Sequence, residues 1–147
     1  MLTRTTSDYP DLRSLIVLLD QNLKEKDGDE HAFFAQYNKV DSISEVIVAY
    51  KDGAAAGCGA IKAYTQTIAE VKRMFVHPDF RRMGIAKQVL NALEDWAKEL
   101  NYKATILETG NKQTDAIELY KNSGYTVIPN YGQYAGVENS VCMQKQL

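Results

Sequence analysis

Cysteine, histidine and proline are scarce in this chain: its 147 residues include two cysteines, two histidines and three prolines. Cys58 and Cys142 lie far apart, neither has a CxxC neighbour, and each sits in an apolar run, so buried free thiols are expected and no disulfide framework. With only His31 and His77 available, the ligand inventory is too poor for a structural metal, and none is expected. A strongly basic balance is also missing. The net charge of -2 argues against a nucleic-acid partner, although a local basic patch can still bind a small polyanion. No apolar run approaches membrane-spanning length, which excludes a membrane span, and Met1 to Thr5 have no apolar signal core, so a cytoplasmic protein is expected. Repeats, low-complexity tracts and Pro/Gly-rich linkers are absent, so one domain over residues 1–147 is the economical expectation.

What is present is an ordinary globular composition, 45% hydrophobic and 24% charged, which argues against extensive disorder. After Pro10, the residues Leu12, Leu15, Ile16, Leu19 and Leu23 recur at helical spacing up to Asp27-Gly28. A second, shorter helical piece is expected around Glu30 to Tyr37. Ser44 to Tyr50 and Ala55 to Tyr64 read as strands joined by the turn Lys51-Asp52-Gly53, and a third strand runs from Ile68 to Val76, closed by His77-Pro78. The strongest helical pattern follows, with Ala86, Val89, Leu90, Leu93, Trp96, Ala97 and Leu100 on one face. Lys103 to Glu108 then reads as a strand, and Thr114 to Asn122 as a helix capped by Ser123-Gly124. Tyr125 to Ile128 and Val137 to Lys145 read as the last strands. The order defines a mixed α/β domain centred on strand, glycine-containing loop, helix, strand.

The segment Arg81-Arg82-Met83-Gly84-Ile85-Ala86 lies between a strand and the long helix. Its amides therefore project from a helix N-terminus, where the macrodipole favours an anion. Gly84 lets backbone approach phosphate oxygens closely. Lys72, Arg73, Arg81, Arg82 and Lys87, opposed only by Asp79, are expected to give the loop a positive field. A helix entry with solvated arginines would look the same on the loop alone. Neither a P-loop pattern nor a dinucleotide fingerprint is present.

Val76-His77-Pro78 followed by Arg81 to Ala86 resembles the central [QR]-x-x-G-x-[GA] motif of the GNAT superfamily of N-acetyltransferases. That family's second signature, A-x-x-x-Y-x-x-x-G-[FY], is matched from Ala116 through Tyr120 to Gly124-Tyr125. The element order matches from about residue 10 onward. The resemblance implies a central, mostly antiparallel twisted sheet of about six to seven strands flanked by about four helices. It implies acetyl-CoA as cosubstrate and acetyl transfer to a primary amine, most simply a small molecule, by direct attack in a ternary complex. The backbone of Met74, Phe75 and Val76 would pair with the pantetheine arm as an added strand, a strand amide there would polarise the carbonyl, and the amides of Arg82, Met83, Gly84, Ile85 and Ala86 would hold the pyrophosphate, flanked by Arg81 and Lys87.

The same resemblance places Tyr120 beside the coenzyme sulfur as an acid for the departing thiolate, the favoured reading because the motif matches around it; the competing reading is a core aromatic, since Ala116, Leu119 and Tyr120 share one helix face. Glu70, six residues before Val76, matches a general-base glutamate of the histone-modifying branch, or is a solvated carboxylate or a partner of Lys72. Where the family commonly has Asn, this chain has Gln113, with Asn111 displaced upstream, and either amide is a candidate coenzyme contact. Tyr125, Tyr131 and Tyr134 form the remaining aromatic feature. Together with Glu108-Thr109-Gly110, the Y-G-x-Y loop is similar to a bacterial branch of the superfamily; Tyr131 and Tyr134 would wall the acceptor pocket or pack a surface loop. Final strands in this superfamily often meet across a dimer, which would place Val137 to Lys145 at a homodimer contact. The cysteines have no evident base nearby, which disfavours a covalent acyl-enzyme. Two other classes stay open, a non-catalytic acyl-CoA sensor or partner-binding module on the same fold, and a nucleotide-binding regulator.

Overall fold

The computed structural model describes residues 1–27 and 43–147. Seven strands form one sheet: β1 (Leu2–Thr5), β2 (Glu45–Lys51), β3 (Ala54–Ala63), β4 (Ile68–Val76), β5 (Ala104–Gly110), β6 (Thr126–Ile128) and β7 (Ser140–Gln146). Their spatial order is β1-β2-β3-β4-β5-β7-β6. Every neighbouring pair is antiparallel except β4 and β5, which are parallel. Three helices accompany the sheet among the described residues, α1 (Pro10–Asp27), α2 (Ile85–Glu99) and α3 (Thr114–Asn122). The helical piece expected around Glu30 to Tyr37 lies outside those residues.

Local chemistry accounts for most boundaries. Asp52 and Gly53 both take positive φ, 54° and 81°, which a tight two-residue hairpin between β2 and β3 requires. Gly124, with φ 97°, ends α3 in the left-handed conformation. The Tyr125 amide there reaches back 3.0 Å to the Tyr120 carbonyl. The last strand starts at Ser140, later than Val137. The reason is a succession of turns, with the Val137 amide bonded to the Tyr134 carbonyl and the Ser140 amide to the Val137 carbonyl.

The sheet separates two apolar layers. On one face, Leu12, Leu15, Ile16 and Leu19 of α1 pack on Val46, Val48, Cys58, Ala60 and Phe75. On the other, Ile85, Val89, Leu90, Leu93 and Ala97 of α2 pack on Ile47, Ile61, Val71 and Leu107. Close approach of α2 depends on Gly59: a Cβ there would lie 2.8 Å from both Val89 Cγ1 and Leu93 Cδ1. Glu94 is also buried on this helix, at 5% exposure. It accepts from Tyr125 Oη (2.9 Å) and Lys145 Nζ (2.9 Å), and Tyr125 Oη in turn shares a 2.7 Å bond with Thr105 Oγ1. That network ties α2 to β5, to β7 and to the residue that follows α3.

β7 is an interior strand, paired with β5 on one side and with β6 at Gln144, Met143 and Cys142 on the other. The expected dimer contact through Val137 to Lys145 therefore has no free edge along those three residues. β6, formed later in space than in sequence order, covers it.

Candidate active site at the parting of two strands

β4 and β5 pair only at Ile68↔Ala104, Ala69↔Thr105 and Glu70↔Ile106. Beyond Glu70, β4 continues to Val76 along β3, and β5 continues to Gly110 along β7, without pairing to each other. A wedge opens between them, walled by the two strand edges that no longer pair with each other. β4 also carries a bulge opposite Gly59, where Arg73 takes φ 61°. The extra residue shifts the alternation of side chains. Ala69 and Val71 face α2 before the bulge, Met74 and Val76 face it afterwards, and Phe75 faces α1.

This shift corrects one expectation. Arg73 is buried rather than directed at the loop, and its carbonyl accepts from Cys58 Sγ at 3.2 Å. Lys72 is engaged with Glu70. The exposed cations around the loop are Arg81, Arg82 and Lys87, so the local positive field is built from three residues instead of five.

The loop itself has the geometry of an anion cradle. Arg82 (φ 64°) and Gly84 (φ 77°) alternate with a residue of negative φ, which turns successive amides toward a common concavity. The first amide to donate within α2 is that of Gln88, to the Gly84 carbonyl at 3.1 Å, so the preceding amides have no helical acceptor. Arg81 is bound back to the end of β4, its Nε 3.2 Å from the Val76 carbonyl and its guanidinium 5.7 Å from the Phe75 ring centroid. Met83 is half exposed, and Ile85 and Ala86 begin the helix. Of the two expected amide side chains, Asn111 is exposed and 3.5 Å from Asn139 Oδ1. Gln113, 8% exposed at the start of α3, has a buried Nε2 with no hydrogen-bond partner among the described residues.

Tyr120 and Glu70 lie on opposite faces of the sheet. Tyr120, 6% exposed, packs in the α2 layer edge-on to Tyr125 at 5.8 Å. Burial first, and the Glu108 carboxylate second, push its hydroxyl well above the ordinary tyrosine range. It is therefore a persistent donor. Glu70 is buried on the α1 face at 8% exposure; Lys72 Nζ lies 3.3 Å from Oε1 and Tyr131 Oη donates to Oε2 at 2.5 Å. The solvated reading of Glu70 is thus wrong and its pairing with Lys72 is right.

The tyrosine loop does reach the wedge. Tyr131 lies between Tyr64 (5.0 Å, edge-on) and Tyr134 (5.7 Å, edge-on), which bridges the β3–β4 turn to the loop before β7. Asn130 Nδ2 anchors that loop on the carbonyls of Val137 and Ser140. Tyr125, grouped with these tyrosines in the sequence, belongs instead to the core on the opposite face. Burial, with the Glu70 carboxylate next, raises Tyr131; burial, then Glu108 and Glu70, raises Tyr134. Two participants carry no motif signal, Tyr64 from the β3–β4 turn and Ser140, whose hydroxyl donates to Glu108 at 2.7 Å. Glu108 was visible only as part of Glu108-Thr109-Gly110.

Among the described residues no group of His, Cys, Asp and Glu is arranged to hold a metal ion. No described helix is long and apolar enough to cross a membrane.

Comparison with known proteins agrees with this architecture. Residues 9–125 match the profile of the Acetyltransferase (GNAT) family. An IAA acetyltransferase of Azospirillum brasilense is 38% identical over 102 residues, an alignment covering 69% of this chain and 67% of that protein. The chain thus spans about two thirds of that relative's length. Among solved structures, one described as an acyl-CoA N-acyltransferase from Klebsiella pneumoniae superposes with a TM-score of 0.84 at 26% identity, covering all of this chain and 97% of that one. A GNAT family acetyltransferase from Elizabethkingia anophelis, solved with acetyl-CoA bound, shares the fold at a TM-score of 0.69 and 19% identity, covering 100% and 97% of the two chains. Matched over residues 9–125 by the family profile, and 38% identical to a relative over about two thirds of both chains, the chain belongs to the GNAT family of acyl-CoA-dependent acetyltransferases.

Proposed function

We propose that this chain transfers an acetyl group from acetyl-CoA to a primary amine, by direct attack in a ternary complex, and that the acceptor is a small molecule. One observation carries the reading: β4 and β5 part beyond Glu70, leaving a wedge with a buried, protonated tyrosine on one face and carboxylates framed by tyrosines on the other. The residues fit the coenzyme. Met74, Phe75 and Val76 offer strand backbone at the wedge, Arg82 to Ala86 offer amides, Arg81 and Lys87 flank them, and the buried Gln113 Nε2 has a donor to spare. When bound, the coenzyme supplies an acyl group activated by a thiolate leaving group.

The protein's own groups do the rest. A backbone amide at the β4 bulge, near Met74 or Phe75, would stabilise the charge developing on the carbonyl oxygen. Tyr120, its pKa held above that of an alkyl thiol (roughly 8.5), serves the departing sulfur chiefly as a hydrogen-bond donor. A carboxylate on the opposite face receives the ammonium proton. Neither thiol is suited to carry the acyl group, because burial pushes Cys58 up to about 12, against the nearby Arg73 cation, and Cys142 up to about 11.

The test is thiol release from acetyl-CoA across a panel of amines and peptides, alongside thermal shifts with acetyl-CoA, ATP and NAD. Stabilisation by acetyl-CoA with release dependent on an amine is expected. Stabilisation without release on any acceptor, unaltered by Tyr120→Phe, would establish the sensor instead. Stabilisation by ATP or NAD alone would establish a nucleotide-binding regulator.

A further inference from the structure

Two carboxylates flank the mouth of the wedge on the α1 face, one where the strands still pair and one where they have parted. Glu70 belongs to the last residue pair that β4 and β5 share. Both of its oxygens are engaged, one by Lys72 Nζ and one by Tyr131 Oη. Its carboxylate is closed in by the loop it holds. Glu108 stands two positions past Ile106, the partner of Glu70, where β5 has already left β4. Leu107 packs toward α2, so the alternation of the strand turns Glu108 to the same face as Glu70. Ser140 Oγ orients it at 2.7 Å, and Cys142 is its cross-strand neighbour on β7.

We propose that Glu108 is the catalytic base that receives the acceptor ammonium and its proton, and that Glu70 is a positioning residue that latches Tyr131 over the acceptor site. This rests on the acyltransferase reading above. A carboxylate between Tyr134, Tyr120 and the parting strands suits a cationic primary amine, with the tyrosine rings packing the carbon skeleton next to the ammonium. The charge of Glu108 is felt at Tyr120, Tyr134 and Cys142, groups that surround the wedge from α3, from the tyrosine loop and from β7. The first ammonium proton passes to Glu108 and on to water. The amine nitrogen then forms its bond to the thioester carbonyl carbon. The C–S bond breaks with its electron pair on sulfur, which leaves hydrogen-bonded to Tyr120, and the second nitrogen proton balances the thiolate.

Among the described residues, the groups facing Glu108 in a pH experiment include Ser140 and Cys142 from β7, Tyr120 from α3, Tyr134 from its loop, and the Glu70–Lys72 pair from β4. The experiment compares wild type with E108Q, E108D, E70Q and Y131F, using putrescine, agmatine and tyramine as probe amines. Three quantities are read: the pH profile of kcat/KM for the amine, the thermal shift given by acetyl-CoA, and calorimetric binding of the amine in the presence of coenzyme A.

E108Q is expected to lose about 100-fold or more in kcat, to abolish the acidic limb of the profile and to weaken amine binding, while keeping the acetyl-CoA shift. E108D restores the limb at reduced rate. E70Q and Y131F are expected to raise the amine KM together, by similar factors, with kcat and the acidic limb retained. Loss of the acidic limb in E70Q with its retention in E108Q would overturn the assignment alone. A wild type that is stabilised by acetyl-CoA but acetylates no amine would instead sink the reading on which the assignment rests.

Discussion

Tyr131 donates its hydroxyl to Glu70 at 2.5 Å, joining two residues 61 positions apart in the chain across the open end of the sheet. The bond does more than satisfy a buried carboxylate. It adds to the ring contact with Tyr64 in holding the loop, so the wall of the proposed acceptor site is assembled from the β3–β4 turn, β4 and the segment before β7.

Removing the Tyr64 ring should loosen that wall without touching the chemistry. The edge-on contact at 5.0 Å is worth about 1 kcal/mol, and the partly exposed ring contributes little to the core. Tyr64→Ala is expected to raise the KM for the amine about fivefold while kcat and the KM for acetyl-CoA hold steady. Steady-state kinetics with each substrate varied in turn decides it.

Tyr120→Phe keeps the packing against Tyr125 and deletes only the hydroxyl. A fall in kcat of about 100-fold with unchanged acetyl-CoA affinity is expected. A variant turning over at the wild-type rate would reduce Tyr120 to a core aromatic.

Gly84 occupies the left-handed region with nothing within 4 Å of an added Cβ, so a substitution there is strained by conformation rather than by neighbours. Gly84→Val should incur about 1–2 kcal/mol from that conformation and intrude on the cradle, raising the Kd for acetyl-CoA by at least about tenfold. Arg82→Ala should change it only a few-fold, because the amides outweigh the exposed guanidinium. Calorimetric titration with coenzyme A compares them.

The Glu94 network should behave as a stability element. Tyr125→Phe removes one donor to a buried carboxylate and is expected to destabilise the fold by about 1–2 kcal/mol. Lys145→Met leaves that carboxylate without its cation, for about 3 kcal/mol. Urea unfolding should show lower midpoints with unchanged slopes.

The two thiols make an alkaline prediction. Cys58, pushed up to about 12, stays neutral in the folded state while the unfolded thiol ionises near 9. The unfolded chain then binds fewer protons, so stability is fully present below pH 9 and is lost as pH rises toward 12. Cys58→Ala should flatten that alkaline decline in thermal melts. The double variant with Cys142→Ala should retain turnover, since the proposed direct attack requires no acyl-enzyme.

Much of the fold was legible because its signals are local. The period-3.6 face of α2, the Asp52-Gly53 turn and the Gly124 cap each follow from residues adjacent in sequence. β1 escaped notice because Leu2–Thr5 is short and gains its strand character from pairing with β2, some 45 residues away. The burial of Arg73 was illegible for a related reason: only the pairing of β4 with β3 creates the bulge that turns its side chain inward.

By itself, the sequence determined the element order, the glycine loop at the start of α2, and the tyrosine that the motif places on α3. Those depend on backbone preferences and side-chain periodicity, which are properties of short segments. Tertiary structure alone decided that Tyr125 belongs to the core while Tyr131 and Tyr134 face the wedge, that Glu70 is latched by Tyr131, and that Glu108 stands where the strands part. Which face a side chain takes, and what it meets there, is fixed by strand register and by a single bulge, neither of which is encoded within any one segment.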